Sequence, residues 1–251
     1  MKDSAQDYYN FSHPHAGIAA GYLSHRLGRF RAFAALRPRQ AWPLVAIVHV
    51  PVYDIGTPKN DFTAERVADY LSSPENGTRF ASVHASADRD SNVLCLPADV
   101  ACRGCGNWNT AEDSWEIEIA GLSTEPGSYW AGPDGTAKLK QAARAHVKAT
   151  KLAFGDQWRT CIVPPQMGTL DATGRVTRPG WLQHRDVPYW DEIFDANGRA
   201  TGISRVLPKP GWAQPPEQNI LAGQHSDICA DFPWEYFFKL LAEEINNGAN
   251  T

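Results

Sequence analysis

Apolar and polar positions switch between two periods along this chain, and the switches outline its elements. Residues 42–52, "WPLVAIVHVPV", form a β-branched run whose one polar side chain, His49, stands near the end. Such a run predicts a buried strand. "DFTAERVADYLSSPENG" (61–77) moves to helical spacing, capped by Asp61 or Thr63 and stopped by Pro74 and Asn76-Gly77. Residues 80–98, "FASVHASADRDSNVLCLPA", predict a hairpin turned at Asp90-Ser91-Asn92. "SWEIEIAGL" alternates and predicts another strand, in which period two puts Glu116 and Glu118 on one face. Ala, Leu and Lys dominate "TAKLKQAARAHVKATKLAF", a long helix. "WRTCIVPP" and "PGWLQHRDVP" read as short strands ending at prolines, and "FPWEYFFKLLAEEI" as a terminal helix. Residues 189–222, rich in Pro, Gly and Trp without a period, read as a long loop. Strands alternating with helices predict a single α/β domain, a central mixed β-sheet flanked by helices.

Before that domain, residues 16–36 place Arg26, Arg29 and Arg31 among apolar positions at helical spacing. Residues 1–40 are therefore expected to be a helical extension packed on a domain spanning 41–251, with 189–222 as an insertion. A net charge of −4 argues against a general nucleic-acid binder. No apolar run is long enough to insert in a membrane, and the start lacks a signal-peptide pattern, so cytosolic synthesis of a soluble protein is expected. Five cysteines is an odd number, which does not suit a disulfide framework, and "CRGC" (Cys102, Cys105) has no second pair to complete a structural zinc site. Asp88, Asp90 and Asn92 imitate the start of a calcium loop. Val93 and Asp99 stand where its glycine and bidentate glutamate belong, so the segment reads as a turn. Nucleophile-elbow, phosphate-loop and HExxH patterns are absent from the sequence.

What remains is a set of histidines and carboxylates at strand ends: His49, His184 in "WLQHRDVP", and Asp227 in "HSDIC". Two imidazoles and a carboxylate make three protein ligands for zinc, with a fourth position left open, as catalytic sites require. In chain order these residues resemble the zinc-dependent N-acetylmuramoyl-L-alanine amidases, the family of phage lytic amidases and peptidoglycan-recognition proteins. "AIVHVPV" corresponds to the strand ending in a ligand His. "SVHASADRDSN" corresponds to an "S-x-H … D-R-D-G" hairpin, and "CGNWN" followed by "SWEIEIAG" to "AGN-x-N" and "IGIE". "LQHRDVP" matches "GH-x-D", and "HSDICADFPW" matches "H-T-D-P-G-P-x-F-P-W". The five blocks cover roughly residues 44–240.

The resemblance implies zinc held by His49, His184 and Asp227 in a groove at the strand ends. It also implies Glu118 as general base, with Glu116 its competitor, and His225 as a donor to the developing oxyanion. Asp186, two after His184, is read as a surface carboxylate or as a residue orienting that ligand. His84, Asn107, Trp108, Trp190 and Trp212 are candidates for substrate contact. "DIC" replaces the usual "DPG", so Cys229 rivals Asp227 as third ligand. The implied reaction is hydrolysis of the amide between N-acetylmuramic acid and L-alanine in bacterial peptidoglycan. The implied setting is a monomeric phage endolysin that reaches the wall after holin-type release. A muramyl-peptide recycling amidase and a non-catalytic peptidoglycan-binding module are the alternatives.

Overall fold

The computed structural model describes residues 42–50, 63–72, 83–96, 98, 102, 104–105, 107–122, 125–188, 191–194, 200–205 and 231–248. In chain order the elements are β1 (Val45–His49), α1 (Ala64–Ser72), β2 (Ala85–Ala87), β3 (Asn92–Leu94), α2 (Trp108–Ala111) and β4 (Ser114–Ile119). Then follow α3 (Gly127–Trp130), α4 (Pro133–Phe154), α5 (Trp158–Cys161), β5 (Thr169–Leu170), β6 (Val176–Arg178) and β7 (Gly180–Gln183). A hairpin of β8 (Asp191–Phe194) and β9 (Ala200–Arg205) precedes the last helix, α6 (Trp234–Asn247).

Five strands form a mixed sheet in the order β3-β2-β4-β1-β7. β1 lies between β4 and β7 and runs parallel to both, while β2 is parallel to β4 and antiparallel to β3. The fold is therefore α/β, a central mixed sheet of five strands with flanking helices, and β5-β6 and β8-β9 form two further two-stranded sheets. Because β1 is paired on both sides and covered on both faces, all five of its residues are buried, which explains the nearly unbroken apolar run that encodes it.

One face of the sheet carries the main core. Ala46, Val48, Trp115, Ile117, Ile119 and Trp181 meet Leu139, Ala142, Ala143, Phe237 and Leu241 of α4 and α6. Leu139, Ala142, Ala143, His146 and Ala149 recur at helical spacing, so α4 turns one stripe inward, and its alanines let it approach closely. Burial of each large side chain such as Leu139 or Phe237 contributes about 1.5–3 kcal/mol. The other face is thinner: Val45, Ile47 and Leu182 pack with Cys105, Ala111 and Val187. A polar cluster therefore has room there.

Local chemistry explains the joints. Thr63 accepts the Arg66 N–H and so caps α1, as one of the two expected cap residues. Asp88 accepts the N–H groups of Ala64, Asp90 and Ser91, which makes "DRDS" the β2–β3 turn and ties it to the start of α1. At the start of β7, Gly180 has φ +151°, and a Cβ there would stand 2.4 Å from the Gln166 carbonyl oxygen. Only glycine admits that crossing, which sets where β7 begins.

Two expectations need correction. "WRTC" is helical, not extended: a 3-10 turn (Gly155–Gln157) carries α4 into α5, and Thr160 donates its hydroxyl to the Gln157 carbonyl. Trp158 is held there by Lys151 and Arg159, whose cations lie 5.2 and 5.3 Å from its ring centre. The stretch read as a long loop holds the β8–β9 hairpin. The basic segment 16–36, the stop of α1 at Pro74 and residues 206–222 lie outside the described residues. Among the described residues, no helix is long and apolar enough to cross a membrane.

Candidate active site

Parallel pairing aligns the carboxyl ends of β1, β4 and β7, the place where open α/β sheets present ligand sites. In register, Ile47 lies beside Glu116 and His49 beside Glu118. Period two then puts Val45, Ile47, His49, Ser114, Glu116 and Glu118 on the thinner face. His184 follows β7 directly, in a 3-10 turn (His184–Asp186). Asp186 accepts the Gln183 N–H at 3.0 Å, and the Val187 N–H returns to the His184 carbonyl. Asp186 thus holds the turn that carries His184.

His49 and His184, 135 residues apart in sequence, meet at this edge. They are 4 % and 7 % exposed, and their Nδ1 atoms stand 3.0 Å apart. The opposite ring nitrogens decide what that means. His49 Nε2 lies 3.0 Å from Glu116 Oε2, and His184 Nε2 lies 3.3 Å from the Cys105 carbonyl oxygen. A carbonyl and a carboxylate only accept, so each Nε2 carries the hydrogen and donates it. In the neutral rings the lone-pair sides of the two Nδ1 atoms then face each other. Such a contact is repulsive until a cation lies between them.

Zinc suits that donor set. Two nitrogens bound at 2.0–2.1 Å to one tetrahedral zinc stand roughly 3.3 Å apart, close to the observed separation. A fixed second nitrogen is also what ligating histidines require. Among the described residues, no group of three His, Cys, Asp or Glu side chains forms a metal site. The third ligand expected from the sequence, Asp227, lies outside them, as do Cys229 and His225.

The two glutamates of β4 have different environments. Glu116 is fully buried; its Oε2 accepts from His49 and its Oε1 accepts the Ser114 hydroxyl at 2.8 Å. Burial alone would raise its carboxyl, but the hydrogen bond and charge of His49, with help from Ser114, hold it below the usual carboxylate range. Glu118 is half-buried, one step nearer the strand end and beside His49 in register. Cys105 is buried against this cluster. Burial first, then the charge of Glu116, pushes its thiol well above the ordinary value, so it stays protonated. Among the described residues, no two of Cys95, Cys102, Cys105 and Cys161 form a disulfide.

The remaining candidates are placed elsewhere. His84 is fully buried on the helix side, stacked on Trp115, and its Nδ1 accepts the Glu116 backbone N–H at 2.9 Å. Asn107 is buried at the start of α2. Its oxygen accepts the Thr110 N–H, and its amide donates to the Pro188 and Thr173 carbonyls. It therefore ties α2 to the segment after His184 and to the β5–β6 turn. That turn needs Gly174, with φ +85° and a Cβ position 2.4 Å from Asn107 Nδ2. The side chain of Trp108 and both Trp190 and Trp212 lie outside the described residues. Sequence reasoning missed the hydrogen-bond partners of the two histidines. Only Glu116 left a trace, as a second carboxylate inside an otherwise apolar strand. The Cys105 carbonyl left none, since every residue has one.

No protein-family model and no curated protein matches this chain. Among solved structures, the Staphylococcus aureus hydrolase AmiA, in complex with its ligand, overlaps 85% of this chain and 82% of its own, at 15% identity and a TM-score of 0.47. PlyL overlaps 46% of this chain and 64% of its own, at 17% identity and a TM-score of 0.34. A mutant endolysin from Bacillus subtilis overlaps 48% and 70%, at 18% identity and a TM-score of 0.34. Likenesses this low assign no activity; the chemistry of the site has to do so.

Proposed function

We propose that this chain is a zinc amidase that hydrolyses the bond between N-acetylmuramic acid and L-alanine in peptidoglycan. One observation carries the metal part of that reading: two buried imidazoles, each with its Nε2 beside an acceptor, turn their Nδ1 atoms toward one point and stand 3.0 Å apart there. The choice of substrate rests on the order of the five sequence blocks.

In this reading His49, His184 and Asp227 hold the metal. Bound there, zinc would supply a Lewis acid for the scissile carbonyl and for the attacking water. Glu118 takes a proton from that water and returns it to the leaving amine, a task its half-buried place at the strand end suits. Glu116 is enclosed, with an oxygen committed to each of two neighbours, and cannot reach a substrate in the groove. His225 donates to the oxyanion. Phage lysis of a host wall is the setting the sequence favours.

The test is digestion of purified peptidoglycan by the zinc-loaded protein. New L-alanine amino termini, with one zinc per chain, are expected. New reducing sugars would instead mean a glycosidase, and binding without new ends would mean a recognition module. Turnover of soluble muramyl peptides with intact sacculi left untouched would move the setting from lysis to recycling. Glu118→Gln should keep zinc and lose turnover.

A further inference from the structure

We infer that Glu116 is a positioning residue, one that fixes which nitrogen of His49 faces the metal position; this rests on the zinc reading above. Its placement is unusually constrained. The side chain is fully buried, Oε2 accepts the His49 Nε2–H at 3.0 Å, and Oε1 accepts the Ser114 hydroxyl at 2.8 Å. Its backbone is pinned as well, because the Glu116 N–H donates to His84 Nδ1 and its carbonyl accepts the His84 N–H. A carboxylate with both oxygens engaged, on a backbone pinned at two further points, is held away from the groove. What it can do is keep the hydrogen of His49 on Nε2 and the lone pair on Nδ1.

The two histidines are not held alike. His184 is oriented by a neutral backbone carbonyl at 3.3 Å, whereas His49 is oriented by a charged acceptor at 3.0 Å. Charge-assisted hydrogen bonds are shorter and roughly twice as strong as neutral ones. A carboxylate behind an imidazole also makes its other nitrogen a better donor to a metal. The line Ser114–Glu116–His49 is thus a relay of orientation: the hydroxyl fixes the carboxylate, and the carboxylate fixes the ring. It also accounts for a charged residue deep in an apolar strand.

The experiment compares wild type with Glu116→Gln in two readouts. In metal-free protein, nitrogen NMR of the His49 ring reports the tautomer directly. Wild type should hold the hydrogen on Nε2, and the glutamine variant, whose amide can turn either way, should show a mixture. In metal-loaded protein, competition with a chelator should show zinc held about 10–100-fold more weakly by the variant. A variant with an unchanged tautomer and unchanged zinc affinity would overturn the inference. Should Glu116→Gln fail to fold, Ser114→Ala serves instead, with a loss of a fewfold expected and no change again overturning it. Wild type that binds no zinc would sink the amidase reading, while the tautomer measurement would still judge Glu116.

Discussion

The two faces of the central sheet each bury a pair of histidines, and the pairs are wired in opposite senses. On the helix side, His84 Nδ1 accepts the Glu116 N–H and His146 Nε2 accepts the Val163 N–H. Each of those rings completes a backbone group that would otherwise be orphaned, and tryptophans surround them: Trp115 lies against both, and Trp181 against His146. On the opposite side, His49 and His184 donate from Nε2 and direct their Nδ1 atoms at each other. All four are buried to a similar degree, so burial alone does not mark a functional histidine. The direction of the hydrogen bonds separates the pairs: the helix-side rings accept from backbone donors, while in the proposed zinc reading the facing nitrogens of the other pair hold a cation.

The largest effect that would break this contrast belongs to the groove pair. His184→Ala should leave dialysed protein without stoichiometric zinc and cut kcat about a thousandfold, the equivalent of roughly 4 kcal/mol of lost transition-state stabilisation. Metal analysis and end-group release check it. Retained zinc and turnover would show the facing lone pairs to be bridged by a shared proton instead. The helix-side pair should behave differently. His84→Phe keeps a ring of similar shape but leaves the Glu116 N–H without its acceptor, so stability should fall by about 1–3 kcal/mol in urea unfolding. Zinc should still bind at one per chain. Metal loss without destabilisation would put His84 on the wrong side of the comparison.

Much of this was legible in the sequence, for identifiable reasons. β1, β4 and α4 announce themselves because a buried strand and an amphipathic helix leave periods that survive without context. His49 and His184 could be singled out because each ends a strand and falls in its place in the order of the resembling blocks. His84 could be read from its motif as a groove or a structural residue, and the parity of β2 and the stacking on Trp115 bury it in the core. Asn107 lay in a polar block and proved to be the tie between three segments. Neither outcome can be read from spacing, because it depends on which strand comes to lie beside which. The order β3-β2-β4-β1-β7 is a tertiary fact.

The helix-side pair also makes a pH prediction. Burial, with a smaller contribution from the nearby His84, pushes His146 down to about 3. The folded state therefore keeps it neutral while the unfolded chain takes up a proton near the ordinary value of 6.5. Between those limits the unfolded state binds more protons, so this contribution to stability is full above 6.5 and falls with falling pH. From about pH 6 to pH 5 the loss should be about 1 kcal/mol from this group. His146→Gln retains an acceptor for Val163 and cannot titrate, so the difference between the two unfolding curves isolates the effect. Parallel curves would mean that His146 is protonated in the folded protein.

The smallest effect tests whether the pair behind His49 is special or merely another short contact between a carboxylate and a nitrogen. Arg144 Nε and Glu244 Oε1 join α4 to α6 at 3.1 Å, nearly the length of the His49–Glu116 bond. Their surroundings differ: the side chains of Arg144 and Glu244 are 30% and 14% exposed, against 5% and 0% for the side chains of His49 and Glu116. Water and salt screen the outer pair, and two long side chains lose freedom to form it, so Glu244→Gln should cost less than about 1 kcal/mol and leave zinc affinity unchanged. Urea unfolding at low and high salt checks both the size and the screening. A cost well above that, insensitive to salt, would mean that distance rather than enclosure sets the worth of these contacts. The special standing of Glu116 would then have to rest on its metal readout alone.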